Sequence, residues 1–281
     1  MSNKKKISCL FIALSLLSYS FTTQTTLAKE VKEENPREAY LTNFNNINIT
    51  DESVKSLKSL KKLIKEKSLK GIYIEQWILD EPGNKNLIKK LQKIANKSNI
   101  KFYLIVGRNS WFGRRGLEHT LEFLNMYENY IDGIVLRVQP NKVNVWKDDV
   151  SVHAQILNQM LDAYSAIYHE TKKRNKLFLV EFPFWLSDYK AFNKTFSQNA
   201  CDYSDRVIFL IDDIEKLDKL GIKWNDVTCN YNINLAKRAT QQTEESTHKT
   251  YKKIMSKLTF YSNFHGFIVD SDSSIKEEGS E

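Results

Sequence analysis

Five acidic residues lie inside or directly after short apolar runs: Glu75 in Ile72-Tyr73-Ile74-Glu75-Gln76-Trp77, Glu181 in Phe178-Leu179-Val180-Glu181-Phe182, Asp212 and Asp213 after the run 206–211, and Asp270 at the end of 266–270. Glycoside hydrolysis needs two carboxyl groups flanking a bond, one of them able to carry a proton near neutral pH. Aromatic residues follow the same runs: Trp77, Trp111, Trp146, then Phe184, Trp185 and Tyr189. Pyranose rings pack their C–H faces on indole and offer hydroxyls to carboxylates. A mouth lined by acids and rimmed by Trp therefore suits a polysaccharide or glycoconjugate. Glu181 and Glu75, or one of them with Asp212, Asp213 or Asp270, are the candidate acid and base. Trp77, Trp111, Trp185, Arg137, Gln139 and Asp213 are the candidate substrate-binding residues.

Arg137, in Ile134-Val135-Leu136-Arg137-Val138-Gln139, opens a second reading. It falls between Glu75 and Glu181 in chain order and could tie both into an ion network with no chemistry. A guanidinium beside a carboxyl favours the ionised form, which opposes a general-acid role.

These residues need elements that bring them together. Apolar runs at 39–44, 71–78, 101–107, 133–139, 176–182, 206–211, 227–231 and 266–270 alternate with helical periodicity, such as Leu57, Leu60 and Ile64, or Leu87, Leu91 and Ile94. Continuous apolar runs are expected of parallel strands covered on both faces. The pattern predicts a (β/α)8 barrel over 39–272, with a short sixth helix at 214–220 and a short or missing last helix. An open doubly wound sheet is the alternative. In a barrel the outward strand face packs on helices, so a charged residue in an apolar strand points inward. That parity places Tyr73, Glu75 and Trp77 in the lumen from strand two. Strand four contributes Val135, Arg137 and Gln139, and strand five Leu179 and Glu181. A barrel radius of roughly 7 Å would bring the two Glu carboxyls to ~7–9 Å, closer to an inverting than a retaining arrangement.

The N-terminal residues point to export. Lys4, Lys5 and Lys6, the apolar stretch 7–21 and the small residues around Ala28 read as a cleaved signal peptide over 1–28, with an uncleaved anchor as the alternative. Residues 29–38 then form a flexible leader and 273–281 a polar tail, and the protein is expected to be secreted or periplasmic. No later run reaches the ~20 apolar residues of a spanning helix, so no stable membrane anchor is expected. The formal charge of +8 falls by the three lysines of the signal. The remaining lysines are spread along helices and read as solvated faces rather than a nucleic-acid surface.

Cys9 belongs to the signal. Cys201 precedes one predicted strand and Cys229 opens the next, as either a structural disulfide or two buried thiols. His119, His153, His169 and His248 fall in helices and His265 at the start of strand eight. With no His at a strand's C-terminal end, a metal site or a His-based phosphodiesterase is not expected. Neither a dinucleotide fingerprint nor a P-loop is present, so no cofactor is expected. Arg108, Arg114 and Arg115 could hold an anion or open a solvated helix.

The stretch Asp132-Gly133-Ile134-Val135-Leu136-Arg137-Val138-Gln139 resembles the fourth strand of chitinase-type glycoside hydrolases, where a pattern like D-G-I-D-x-D-x-E ends in the acid. Residues 101–111 are similar to the third strand of those barrels. Asp132, Gly133 and Ile134 match, while Val135, Arg137 and Gln139 replace the three carboxylates. The resemblance implies a barrel that either binds glycan without cleaving it or has moved its acids to Glu75 and Glu181. Two functions follow: a secreted glycosidase, or a non-catalytic barrel that binds glycan or a protein partner.

Overall fold

The computed structural model describes residues 46–49, 57–66, 68–81, 84, 86–191, 194–211, 227–235, 258 and 262–270. Eight parallel strands close into a barrel. They are β1 (Asn46–Ile49), β2 (Gly71–Glu75), β3 (Lys101–Val106), β4 (Gly133–Arg137), β5 (Leu177–Pro183), β6 (Arg206–Ile211), β7 (Tyr231–Leu235) and β8 (Phe264–Asp270). Each strand pairs with its sequence neighbours, and β8 returns to β1 through Asn46↔Ile268 and Asn48↔Asp270.

Helices on the outside cover the apolar outer face. They are α1 (Leu57–Glu66), the single turn α2 (Gln76–Asp80), α3 (Leu87–Ser98), α4 (Arg114–Tyr127), the short α5 (Asn144–Asp148), α6 (His153–Lys173) and α7 (Phe196–Asp202). The periodic positions are the buried ones, for example Leu60 and Ile64 on α1 and Leu91, Ile94 and Ala95 on α3. They pack on Ile72, Ile74, Leu104, Ile134, Leu136 and Val180, which point outward from the strands. The inward residues form a second, separate core of Tyr73, Tyr103, Ile105, Val135, Leu179, Ile208 and Ile268. Tyr73 and Tyr103 stack there with ring centroids 4.7 Å apart. The lumen is therefore a filled core, and a site built from the inward strand residues must open above it at the C-terminal ends of the strands.

Several boundaries differ from the expectation. Strand two ends at Glu75, where α2 begins, so Trp77 leaves the strand alternation. The first strand lies at Asn46–Ile49, and the run 39–44 lies outside the described residues. The seventh strand begins at Tyr231, because Asn263 Nδ2 donates to the carbonyls of Val227 and Cys229 and holds 227–230 as a connection. The sixth helix at 214–220 and any helix after β8 also lie outside the described residues.

Candidate functional site

Arg137 is the centre of the C-terminal mouth. By register Arg137 lies opposite Glu181, and Glu75 lies opposite Ile105, which faces Val135. Strand tilt carries Glu75 up by about two residues over the two steps to β4, so its carboxyl meets the Arg137 side chain. Arg137 Nη1 donates to Glu75 Oε1 at 2.5 Å, Nη2 donates to Glu181 Oε2 at 3.1 Å, and Nε lies 2.6 Å from Glu181 Oε1. The guanidinium thus sits between two acids from strands on either side of it.

Three further donors complete the cluster. Asn48 Nδ2 of β1 donates to Glu75 Oε1 at 3.3 Å, and Asn234 Nδ2 of β7 to Glu181 Oε2 at 3.5 Å. Trp77 Nε1 donates to Glu75 Oε2 at 2.6 Å, while the indole is 47 % exposed. The turn into α2 swings this ring out of the lumen and over the acid.

Burial divides the two carboxyls. Glu181 is 1 % exposed, whereas the Glu75 and Arg137 side chains keep 24 % and 20 % of their surface. Burial pushes the Glu181 carboxyl above its usual range, against the pull of Arg137 and Asn234. Burial acts upward on Glu75 too, but Arg137, Trp77 and Asn48 outweigh it and hold that carboxyl below its usual range. Burial also works against the Arg137 charge, and the two carboxylates overcome it, raising its pKa.

Gly107, just past β3, permits the arrangement. Its φ is +134°, and a Cβ there would lie 2.1 Å from the Arg137 carbonyl oxygen. The backbone beside Arg137 has no room for a side chain.

A second group of residues lies on the same mouth, in the connections after β4 and β5. Trp146 is buried, stacked on His153 at 3.8 Å and set edge-on to Trp185 at 5.9 Å. Trp185 is half-buried, and Tyr189, 5.9 Å from it, is exposed. His153 Nε2 donates to the Trp146 carbonyl at 2.7 Å. The sequence argument set His153 aside as helical. It opens α6, and in this barrel the start of an outer helix lies at the C-terminal mouth, so one His does stand there.

The remaining candidates are scattered. Trp111 is 5 % exposed and packed on His119 and Phe123 at 4.6 and 6.2 Å, so its faces are already used inside the fold. Gln139 lies beyond the end of β4, half-buried, with no side-chain hydrogen bond to a described residue. Arg114 is exposed and pairs with Glu118 at 2.6 Å, and Arg108 is exposed. Asp270 is the last residue of β8, and Asp212, Asp213 and His248 lie outside the described residues. Cys201 of α7 and Cys229 before β7 are joined as a disulfide, with Cα atoms 5.2 Å apart.

The two asparagines were missed by sequence reasoning, and a signal for them exists. Asn46-Ile47-Asn48-Ile49 and Tyr231-Asn232-Ile233-Asn234-Leu235 alternate polar and apolar, the same inward parity that singled out Glu75 and Glu181.

No protein-family model matches the sequence, and no curated protein does. Solved structures of similar form include the C-terminal domain of a putative chitinase from Desulfitobacterium hafniense DCB-2, with a TM-score of 0.48 at 12 % identity, covering 68 % of this chain and 66 % of that one. The YdjI aldolase from Escherichia coli K12 has a TM-score of 0.48 at 8 % identity, over 84 % of this chain and 77 % of the other. An agarase, AgWH50C, has a TM-score of 0.45 at 10 % identity, over 79 % of this chain and 43 % of the other. The likeness is that of a distant (β/α)8 barrel, shared alike with glycoside hydrolases and aldolases. What fold and site define together is a parallel barrel whose mouth holds a Glu–Arg–Glu cluster.

Proposed function

We propose that this is a glycan-binding barrel, in which Glu75, Arg137 and the Trp77 indole form the polar and stacking floor of the site. The observation that carries this reading is the Arg137 guanidinium fastened to both acids. Each carboxyl is held by charge-assisted donors, so neither is a free proton carrier, while the exposed fraction of Glu75 and Arg137 remains open to ligand hydroxyls. Trp77 and the Trp185–Tyr189 pair supply apolar faces for sugar rings. The substitution of Val135, Arg137 and Gln139 for carboxylates in the chitinase-like strand supports the same reading.

One observation favours hydrolysis instead: Glu181 is pushed up and Glu75 held down, the opposite displacements that separate an acid from a base. A panel of soluble polysaccharides and oligosaccharides separates the two. Binding measured by calorimetry, with no reducing sugar released and about five- to tenfold weaker binding in Trp77→Ala, is the expected result. Release of reducing sugar by the wild type that disappears in Glu181→Gln would replace the binding reading with the hydrolase.

Export is part of the proposal, supported by the charged, apolar and small-residue order of residues 1–28. Mass spectrometry of the chain recovered outside the cytoplasm is expected to show a new N-terminus at Lys29.

A further inference from the structure

The sequence spreads its lysines along the chain, but the barrel sets α1 and α3 side by side. These two helices carry four lysines each, against one acidic residue, Glu66. Glu66 pairs with Lys62 at 3.9 Å.

Where the C-terminal ends of α1 and α3 run into β2 and β3, a cleft of about 720 Å³ opens on the N-terminal face of the barrel, opposite the Arg137 mouth. Lys61, Lys65, Lys70 and Lys97 line it over a floor that includes Ile64 and Ile94, and the lining contains no acidic residue. All four lysines are exposed, and none forms an ion pair with a described residue. Lys65 and Lys97 lie in the last turns of their helices, where the partial negative charge of the helix end favours them. That account does not extend to Lys61 or to Lys70, which precedes β2. Lys70 also acts on a neighbouring group: burial, Arg206 and Lys70 together push the His265 imidazole down.

We propose that this groove is a second binding site, which takes a linear anionic polysaccharide whose carboxylate or sulfate groups pair with Lys61, Lys65, Lys70 and Lys97. Lys61 and Lys65 are spaced by about one helical turn, ~5.4 Å, so both ammonium groups lie on one side of α1 along the groove. A single-stranded nucleic acid would need aromatic faces for its bases, and no aromatic residue lines the groove. A membrane surface would gain from apolar side chains to insert, and none of the exposed large hydrophobic residues lies on α1 or α3. The inference stands apart from the reading of the C-terminal mouth, since it uses neither its residues nor its ligand.

The test uses the full chain with heparin as the sulfated probe and hyaluronate as the carboxylate probe. Neutral dextran, a single-stranded DNA oligomer, and vesicles of equal phosphatidylglycerol and phosphatidylcholine serve as alternatives. Heparin is expected to bind with a steep loss of affinity as salt rises. Changing Lys61, Lys65, Lys70 and Lys97 together to Gln is expected to weaken binding at least tenfold. The same four positions changed to Arg should stay within about threefold of the wild type. A charge-matched control, Lys142, Lys147, Lys173 and Lys190 to Gln, should stay within about twofold. Equal loss in the control and groove variants would overturn the proposal, as would tighter binding to DNA or vesicles than to either polysaccharide. Trp77→Ala is expected to leave heparin affinity unchanged, so failure here and failure of the mouth reading are told apart.

Discussion

Replacing Arg137 by Met removes the guanidinium and keeps an unbranched side chain of similar reach. Glu181, 1 % exposed, is then left with the Asn234 amide at 3.5 Å as its remaining side-chain partner. Breaking a buried ion pair from one side costs about 3–5 kcal/mol. Arg137 keeps 20 % of its side chain exposed, which places the expectation near the lower bound, about 3 kcal/mol at pH 7. For a domain of this size that is roughly 6–12 °C in Tm. The loss should depend on pH with a defined sign. Without Arg137 the folded carboxyl is lifted further above its ordinary value of 4.5, so the folded state binds a proton that the unfolded state has released. Stability is then retained below the unfolded pKa and lost as pH rises through the folded one. The deficit of Arg137→Met relative to wild type should therefore be smaller at pH 4.5 than at pH 7. Adding Glu181→Gln should recover about 1–2 kcal/mol of it. Urea unfolding followed by tryptophan fluorescence at the two pH values reads both quantities. A loss under 1 kcal/mol at pH 7, or one of the same size at both pH values, would refute the claim that Glu181 depends on Arg137 for its burial.

Three other perturbations have defined outcomes. Gly107→Ala places a Cβ against the Arg137 carbonyl and forces a positive φ on a side-chain-bearing residue. It should cost about 1–3 kcal/mol in chemical denaturation and weaken glycan binding along with it. Reducing the Cys201–Cys229 disulfide, which spans 28 residues, should cost about 3–4 kcal/mol, read as a fall in Tm with reductant that Cys201→Ser/Cys229→Ser does not show. His265 has a folded pKa below 6.5, so its contribution to stability is present above that pH and is lost as pH falls toward the folded value. His265→Gln should flatten the stability curve between pH 7 and pH 5, as followed by urea midpoints.

The barrel was legible because its strands are mostly continuous apolar runs. A strand covered by helices outside and filled with side chains inside leaves few positions for polar residues. Where one polar residue interrupts such a run, parity fixes its direction, and Glu75, Arg137 and Glu181 therefore meet as their spacing implied. The same rule fails in practice where the lumen itself is polar. β1 and β7 each place Asn residues inward, at Asn48 in one and at Asn232 and Asn234 in the other. A search for continuous apolar runs then settles a few residues early, on 39–44 and 227–231. Strand ends were less legible than strand interiors for a related reason. Trp77 continues the alternation of β2 on paper, but nothing in alternation shows that the backbone turns into α2 after Glu75.

The mismatch at the mouth also explains why resemblance and geometry point in different directions. A chitinase-like fourth strand needs acids at the positions of Val135, Arg137 and Gln139, and a barrel that places a guanidinium there must neutralise it. Glu75 and Glu181, from strands on either side, do so, and each is fixed in place by it. Two of the acids that the sequence offers as catalysts, Glu75 and Glu181, are therefore the counter-charges of Arg137. For either to transfer a proton, a ligand would first have to draw the guanidinium away. The more exposed of the two contacts, Arg137 Nη1 to Glu75 Oε1, is the one a ligand hydroxyl or carboxylate can reach. A ligand that competes for Nη1 would free Glu75 while leaving Glu181 paired. Engagement of the site should therefore be read first at Glu75 and at the Trp77 indole hydrogen-bonded to it, as a change in tryptophan fluorescence that Trp77→Phe abolishes.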